Sequence, residues 1–261
     1  MGYLDGKRAI ITGAGSGLGR AGALRFAKEG AQVVVVGRTA AKIDETVDMV
    51  RAGGGTAIAM TGDAAVEATV EAMVARCISE FGGLEVFFAN AGTWIGSVPL
   101  IDQTVEQWQE VLRVNVIGSF LAAKHAGRHM RTKGGGSILF TSSVAGLRGN
   151  GGDAAYSVSK AAINHLAQVT ANELAGTGVR VNAILPGLVE TEGTKVLFDA
   201  ARARGAESKL GQVNPLKRTG RPEEIAAVAA FLASDEASYI NGQFIAVDGG
   251  VSSSHPFGRF S

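Results

Sequence analysis

Tyr156 and Lys160 are the residues whose types and spacing could most directly carry acid–base chemistry. They stand four positions apart, and on a helix that spacing places both side chains on one face. A free tyrosine has a pKa of about 10, so acid–base work near neutral pH needs a shift worth about 4 kcal/mol. One ammonium about 4 Å away supplies about that much at an effective dielectric constant of about 20. The pair could therefore exchange a proton with a substrate, although this spacing also arises often by chance.

Ser143 adds a hydroxyl to this pair. It lies thirteen residues before Tyr156, at the end of a predicted strand. Ligands gather at the carboxyl ends of parallel strands in α/β architectures. A hydroxyl at that place could hold a carbonyl or alcohol oxygen while Tyr156 protonates or deprotonates it.

A glycine-rich segment, Thr12–Gly19, follows the first predicted strand and opens the first predicted helix. Glycines there let the backbone turn tightly and approach a pyrophosphate, and the helix N-terminus offers free N–H groups to its negative charge. The segment therefore predicts a dinucleotide site, with a plain tight turn as the alternative.

The residues after the second predicted strand bear on which dinucleotide binds. A carboxylate there would bond the ribose 2′-hydroxyl and select NAD, but this chain has Gly37, Arg38 and Thr39. The Arg38 guanidinium can pair with a 2′-phosphate. The pattern favours NADP(H) and leaves NAD(H) open, because Arg38 could also be an ordinary solvated charge.

Strands and helices alternate along the chain, and this order is what would bring these residues together. Fully apolar runs such as Val33–Val36 are typical of parallel strands covered on both faces. The predicted strands are Arg8–Thr12, Val33–Val36, Thr56–Met60, Leu84–Ala89, Ser137–Thr141, Val179–Leu185 and Phe244–Val247. The predicted helices are Leu18–Glu29, Ala40–Arg51, Val66–Phe81, a long region Val105–Met130 interrupted at Gly118, Ala155–Leu174 and Glu223–Ala233. The alternation predicts an α/β fold, a Rossmann-like doubly wound, seven-stranded parallel sheet with helices on both faces.

No linker or internal repeat marks a second domain, so we expect one NAD(P)-binding domain over residues 1–261. The inserted segment at about 188–214 carries helical fragments, such as Thr194–Arg204, between loop-like flanks. A long excursion of this kind is often a lid or a substrate-binding segment, and an ordinary surface insertion is the alternative.

Composition narrows the function classes. The 261 residues include 37 glycines and one cysteine, Cys77, which excludes a disulfide scaffold and a cysteine-based metal site. A formal charge of +1 argues against a nucleic-acid binder that relies on phosphate neutralisation. No apolar run approaches the about 18 residues of a membrane span, and no secretory pattern is visible, so we expect a cytoplasmic protein. His125 and His129 lack the glutamate and third ligand of a zinc site, so we expect no metal.

Taken in order, these features resemble the short-chain dehydrogenase/reductase family, in its short single-domain branch. The resemblance runs from about Leu4 to Gly250. Its markers are Thr12-Gly13, Gly17, Gly19, Asn90-Ala91-Gly92, Asn115, Ser143, Tyr156, Lys160, Pro186-Gly187 and Asp248-Gly249-Gly250. The chain departs from the family pattern at Ala89, where an asparagine is common, and at Ser16, where many NADP-preferring relatives carry a basic residue.

The resemblance implies catalytic roles for four residues. Tyr156 would be the general acid/base, and Ser143 would orient the substrate oxygen. Lys160 would lower the pKa of Tyr156 and hold the nicotinamide ribose. Asn115 would anchor a water in a proton relay that reaches Lys160. The implied reaction is hydride transfer between NADP(H) and a carbonyl or a secondary alcohol.

The resemblance also implies the cofactor contacts. Asp63 would contact adenine, Asn90 would support the sheet and the pocket, and Val189 and Thr191 would hold the nicotinamide carboxamide. The full set expected at the cofactor is Gly13, Gly15, Ser16, Gly17, Leu18, Gly19, Arg38, Thr39, Asp63, Asn90, Ala91, Gly92, Tyr156, Lys160, Pro186, Gly187, Val189 and Thr191.

The side chains expected to line the substrate pocket are mostly apolar, which indicates an apolar or cyclic substrate, although each could be ordinary packing. They are Trp94, Ile95, Leu147, Leu188 and Phe198. A 3-oxoacyl-thioester reductase, an NAD-dependent alcohol dehydrogenase and a non-catalytic nucleotide sensor remain alternatives. The resemblance implies a homotetramer built from the helices Glu106–Arg128 and Ala154–Ala175 and the last strand. The role of the tail, residues 252–261, is open.

Overall fold

Seven parallel strands form one sheet in the computed structural model, which describes residues 2–149 and 152–254. The strands are β1 (Arg8–Thr12), β2 (Gln32–Gly37), β3 (Thr56–Thr61), β4 (Val86–Ala89), β5 (Gly136–Thr141), β6 (Val179–Pro186) and β7 (Phe244–Val247). They lie in the order β3-β2-β1-β4-β5-β6-β7, and every neighbouring pair is parallel. The predicted fold class is confirmed. Residues 255–261 of the tail lie outside the described part of the chain.

Side chains along each central strand alternate between two hydrophobic cores. In β2, Val33 and Val35 belong to one core, and Val34 and Val36 belong to the other. All four are buried. Because successive side chains of a strand point to opposite faces, a sheet with both faces covered needs such fully apolar strands.

Helices cover both faces of the sheet. They are α1 (Gly17–Lys28), α2 (Ala40–Ala52), α3 (Glu67–Phe81), α4 (Val105–Leu112), α5 (Gly118–Met130), α6 (Ala154–Glu173), α7 (Lys195–Ala203) and α8 (Pro222–Ala233). Helices α1 and α8 pack together on one face, where Phe26 and Ile225 are fully buried. Helices α3, α5 and α6 bury Met73, Met130 and Ile163 on the other. Within the described residues, no helix is both long and apolar enough to cross a membrane.

The strand order reverses beside β1. The chain moves outward from β1 to β3 on one side and from β4 to β7 on the other. In doubly wound folds the ligand crevice opens at this point, outside the carboxyl ends of the strands. Here those ends lead into the glycine-rich segment after β1 and into Asn90 after β4.

The prediction of one long helix interrupted at Gly118 is wrong in detail. A π-helical turn, Arg113–Ile117, separates α4 from α5, and Gly118 begins the second helix instead of breaking the first. Asn115 lies inside the π turn and is fully buried. Single π turns within α-helices occur frequently at functional sites.

The inserted segment after β6 contains α7 and a short 3-10 turn, Glu207–Lys209. Helix α7 agrees with the helical fragment expected at Thr194–Arg204. An isolated parallel bridge between Val189 and Gly220 joins the beginning of the segment to the chain that follows it.

Candidate functional site

Asn90 ties together the carboxyl ends of three neighbouring strands. Its Nδ2 donates to the Thr12 carbonyl at 3.1 Å, and its Oδ1 accepts from Thr141 Oγ1 at 2.9 Å. The Thr12 hydroxyl in turn accepts the backbone N–H groups of Asn90 and Ala91, both at 3.1 Å. The ends of β1, β4 and β5 are therefore fixed in one arrangement beneath the crevice.

The glycine turn over this frame leaves no room for side chains. A Cβ on Gly19 would stand 2.3 Å from the Gly13 carbonyl oxygen, so only glycine lets α1 begin this close to the turn. Gly13 has φ +65°, a conformation that L side chains rarely adopt. A Cβ on Gly17 would stand 3.0 Å from the Thr191 side chain, which covers the turn from the inserted segment. Backbone exposed over a helix N-terminus fits a dinucleotide pyrophosphate.

An open cleft of about 550 Å³ borders this turn. Ser16 and Lys42 line the cleft, and both hydrogen-bond the Glu192 carboxylate. The hydrogen bond from Lys42, followed by the one from Ser16, lowers the pKa of Glu192.

Arg38 and Thr39, the residues expected at the adenosine end of the cofactor, directly follow β2. Arg38 is exposed and makes no ion pair within residues 2–149 and 152–254. Thr39 is the residue that precedes α2. The Arg38 guanidinium therefore has its full hydrogen-bonding capacity available for a phosphate.

Asp63, expected at adenine, already has a partner. Its Oδ2 lies 3.0 Å from Arg113 Nη1, and its Oδ1 accepts the Ala65 N–H at 2.9 Å. Burial alone would raise the pKa of the Asp63 carboxyl, but these hydrogen bonds and the charges of Arg113 and Arg38 lower it overall. An adenine contact here would use a carboxylate whose position the π turn helps to fix.

Tyr156 and Lys160 lie on one face of α6, as their spacing predicts. The Lys160 Nζ lies 5.3 Å from the centre of the Tyr156 ring and donates to the Thr141 carbonyl at 2.7 Å. Lys160 is 3% exposed, and burial lowers its pKa to about 7. The structure thus brings together the lysine, the tyrosine and the carboxyl end of β5.

Ser143 stands beside Tyr156 at the beginning of the loop after β5. Burial raises the pKa of the Tyr156 hydroxyl, hydrogen bonding from Ser143 lowers it, and the Asp153 charge raises it. The pKa of Tyr156 is raised overall. Ser143 is buried, and its hydroxyl accepts the Ala145 N–H at 3.1 Å.

Asn115 is held by both ends of its side chain. Its Oδ1 accepts the Thr93 N–H at 2.8 Å, while its Nδ2 donates to the Thr93 carbonyl and to Ser159 Oγ, both at 2.9 Å. Its own carbonyl accepts from Ser119 Oγ at 2.7 Å. A Cβ on Gly92 would stand 3.4 Å from Asn115 Oδ1 and 3.5 Å from Lys160 Nζ. Asn115 and Lys160 therefore converge on one place beside Gly92.

The segment after β6 reaches the site through Gly187 and Thr191. A Cβ on Gly187 would stand 2.8 Å from the Asp248 Cα, so the end of β6 packs directly on the chain after β7. The Thr191 N–H is held by Thr194 Oγ1 at 2.9 Å, while Val189 is buried. Of the remaining residues expected here, Pro186 is buried and Leu188 is half-buried.

Four of the five residues expected at the substrate pocket are half-buried or exposed, and the fifth, Phe198, is buried. Trp94 bridges to the inserted segment, with its Nε1 donating to the Gly193 carbonyl at 2.9 Å. Ile95 and Leu188 are half-buried, and Leu147 is exposed. Phe198 differs, because it is 2% exposed, and the Arg202 guanidinium lies 5.9 Å from the centre of its ring.

Asp153 is a residue of the site that the motifs did not single out. It is 6% exposed, directly precedes α6, and its Oδ1 accepts the Tyr156 N–H at 2.8 Å. An aspartate just before a predicted helix is a recognised capping signal, so its position could have been found from the sequence. Its second contact, with the loop after β4, could not.

Comparison with known proteins gives matches over nearly the whole chain. A family model described as enoyl-(acyl carrier protein) reductase matches residues 13–252. Cis-4-hydroxycyclohexanecarboxylate dehydrogenase from Sinomonas cyclohexanicum is 39% identical over 242 residues, which cover 93% of this chain and 95% of the relative.

Solved structures agree with this result. The crystal structure of levodione reductase matches with a TM-score of 0.92 at 36% identity, over 97% of this chain and 100% of that one. A putative NAD(P)-dependent gluconate 5-dehydrogenase from Beutenbergia cavernae, with bound NADP at low occupancy, matches with a TM-score of 0.88 at 37% identity, over 96% of this chain and 98% of that one.

Proposed function

The chain belongs to the short-chain dehydrogenase/reductase family, and on that premise we propose that it interconverts a carbonyl compound and a secondary alcohol with NADP(H). One observation carries the proposal. Tyr156, Ser143 and Lys160 converge at the carboxyl end of β5, beside a glycine turn that fits a pyrophosphate.

Each catalytic side chain has a defined task in this proposal. A bound nicotinamide supplies or accepts the hydride. The Tyr156 hydroxyl donates a proton to the carbonyl oxygen during reduction and accepts one from the alcohol during oxidation. Ser143 holds that oxygen with its hydroxyl. Lys160 holds the ribose and, with Asn115, a proton path that restores Tyr156.

Residue Arg38 supports NADP(H) over NAD(H). Its exposed guanidinium follows β2, where a carboxylate would select NAD. The structure of the Beutenbergia cavernae relative with bound NADP supports the same choice. NAD(H) remains the second candidate, since Ser16 replaces a basic residue of the glycine turn.

An apolar or cyclic substrate is the substrate class that we propose. Trp94, Ile95 and Leu147 follow β4 and β5, whose carboxyl ends lead into the proposed site, and supply apolar surface there. The name of one relative specifies a cyclohexane ring. A 3-oxoacyl-thioester is the second candidate, because the matching family model is described as an acyl-carrier-protein reductase.

A steady-state assay tests this proposal. The panel contains cyclohexanol, cyclohexanone, cis-4-hydroxycyclohexanecarboxylate, a straight-chain methyl ketone and acetoacetyl-coenzyme A, each with NADP(H) and with NAD(H). Turnover of a ring compound with NADP(H) is expected. A protein that binds NADPH but turns over no member of the panel would instead fit a nucleotide sensor.

A further inference from the structure

We propose that Asp153 is a positioning residue that fixes the catalytic helix α6 against the loop after β4, and so sets the distance between the Tyr156 hydroxyl and the wall of the substrate pocket. The inference rests on the proposed function, because it concerns the same reacting oxygen. It adds a residue outside the four to which catalysis is assigned.

The two carboxylate oxygens of Asp153 serve different elements. Oδ1 accepts the Tyr156 N–H at 2.8 Å and so caps the first turn of α6. Oδ2 accepts the Ile95 N–H at 2.9 Å. One side chain therefore connects the residue that exchanges the proton with the loop that carries Trp94 and Ile95.

Burial makes this connection strong. Asp153 is 6% exposed, and charge-assisted hydrogen bonds are about twice as strong as neutral ones. A buried carboxylate also needs donors for both of its oxygens. The two backbone N–H groups meet that need only while α6 and the loop keep their present separation, so movement of either element leaves a buried charge short of a partner.

The loop itself has few other anchors to the catalytic helix. Thr93 is held by Asn115, and Trp94 is held from the other side by the Gly193 carbonyl. The Ile95 N–H lies two residues after the Thr93 N–H that Asn115 holds. Asn115 therefore fixes the beginning of this loop at Thr93, and Asp153 fixes it two residues later at Ile95.

The charge of Asp153 gives the connection a second effect. It raises the pKa of the Tyr156 hydroxyl, in the same direction as burial and against the hydrogen bond from Ser143. Lys160 is the lysine on the same helix, and burial lowers its pKa to about 7. From the other elements at the site, Arg148 is engaged with the Ser252 and Ser254 carbonyls.

The acidic residues of the inserted segment have partners of their own. Glu190 pairs with Arg202, and Glu192 pairs with Lys42. Residues 93–99 contain no charged side chain. Asp153 is therefore the carboxylate whose removal should act most directly on Tyr156.

Kinetics of Asp153→Asn test the proposal, measured as oxidation of the most active alcohol of the panel with NADP⁺. In Asp153→Asn the amide oxygen can still accept the Tyr156 N–H. The amide NH₂ group then faces the Ile95 N–H, and because both are donors the hydrogen bond to Ile95 is lost. Loss of that bond should raise the KM of the alcohol about five- to tenfold, with the KM of NADP⁺ unchanged. Loss of the negative charge should lower the pKa of Tyr156. The rise of kcat/KM with pH that reports deprotonation of Tyr156 should therefore move to lower pH.

Two further variants keep the test decisive. Asp153→Ser keeps a good helix cap but lacks both the reach to Ile95 and the charge, so it should show the same two changes if the amide variant folds poorly. Thr104→Ala removes a helix cap of α4, whose hydroxyl accepts the Gln107 N–H. It should lower the midpoint of thermal unfolding without moving the pH profile.

An unmoved pH profile, or an unchanged KM of the alcohol in folded Asp153→Asn and Asp153→Ser, would overturn the role of Asp153. Failure of the proposed function has a different signature. It would show as an inactive wild-type protein, or as a Tyr156→Phe variant as active as the wild type.

Discussion

Lys160 carries a cost in folding free energy that the proposed chemistry explains. The side chain is 3% exposed, and among the described residues its Nζ has the Thr141 carbonyl, and no carboxylate, as partner. Burial lowers its pKa from 10.5 to about 7. The proposed function accounts for a lysine at this position beside Tyr156, since packing alone would favour an apolar side chain.

Replacing Lys160 by methionine should therefore stabilise the protein while abolishing turnover. We expect the free energy of unfolding at neutral pH to rise by about 2 kcal/mol in Lys160→Met, measured by urea titration of the cofactor-free protein. The exposed Lys133→Met serves as the control and should leave stability unchanged. Equal stability of Lys160→Met and the wild type would contradict the assigned burial cost.

The pH dependence of this difference has a definite sign. Between pH values of about 7 and 10.5 the folded lysine is neutral while the unfolded lysine keeps its proton. The unfolded chain then binds more protons, so wild-type stability rises with pH across that window. Urea titrations across it should show the advantage of Lys160→Met shrinking toward the alkaline end. A constant difference would show that Lys160 titrates normally.

Arg38 should decide the choice of cofactor. A charge-assisted bond to the 2′-phosphate contributes about 1.5–3 kcal/mol, so Arg38→Ala should weaken NADPH binding about ten- to a hundredfold and leave NADH binding unchanged. Isothermal calorimetry with both cofactors measures this. Arg131→Ala, at an exposed position after α5, is the control. If the wild type bound NADPH and NADH equally well, and Arg38→Ala changed neither affinity, the proposed role of Arg38 in binding the 2′-phosphate would be refuted.

At the scale of elements, the junction between β1 and α1 depends on the absence of one side chain. A Cβ on Gly19 would lie 2.3 Å from the Gly13 carbonyl oxygen and 2.7 Å from Asn90 Nδ2. Gly19→Ala must therefore displace the turn, and we expect NADPH affinity to fall at least about tenfold. Gly53→Ala, where the nearest atom is 3.4 Å away, should bind NADPH like the wild type in the same titration. Unchanged affinity in Gly19→Ala would contradict the proposed cradle.

The sequence predicts the strands and the order of the elements because their signals are local. Val33–Val36 is apolar throughout, which is typical of a strand covered on both faces. The Tyr156 and Lys160 spacing likewise specifies one helix face. Both features follow from residues a few positions apart.

The π turn and the Asp153 bridge lay beyond sequence reasoning for a physical reason. The turn at Arg113–Ile117 depends on Asn115 meeting Thr93 and Ser159, which lie 22 and 44 positions away along the chain. The bond from the Ile95 N–H to Asp153 spans 58 positions. Contacts of this range are set by tertiary packing, which no local pattern encodes.

At the scale of the whole molecule, two helices leave apolar side chains uncovered. Phe120 on α5 is 44% exposed, and Val158 and Val169 on α6 are 49% and 39% exposed. Exposed apolar surface shared by neighbouring helices is typical of an interface between subunits. It supports the homotetramer that the family resemblance implies.

Light scattering coupled to size exclusion should give the mass of four chains. Val169→Glu places a charge on the α6 face and should shift the mass to that of a smaller species, because an unpaired charge in an interface costs several kcal/mol. Val213→Glu, at a 78% exposed position in the inserted segment, should keep the wild-type mass. A monomeric wild-type protein would contradict the assembly.

The central claim is that the Tyr156 hydroxyl exchanges the proton at a carbonyl or alcohol oxygen. Its most direct test is the turnover number of Tyr156→Phe with NADPH and the best carbonyl substrate of the panel, alongside calorimetric NADPH binding. Tyr239→Phe, a fully exposed tyrosine, is the matched control and should turn over like the wild type. We expect Tyr156→Phe to bind NADPH normally and to lose turnover by about 10²–10⁴-fold. Near-wild-type turnover in that variant would contradict the claim.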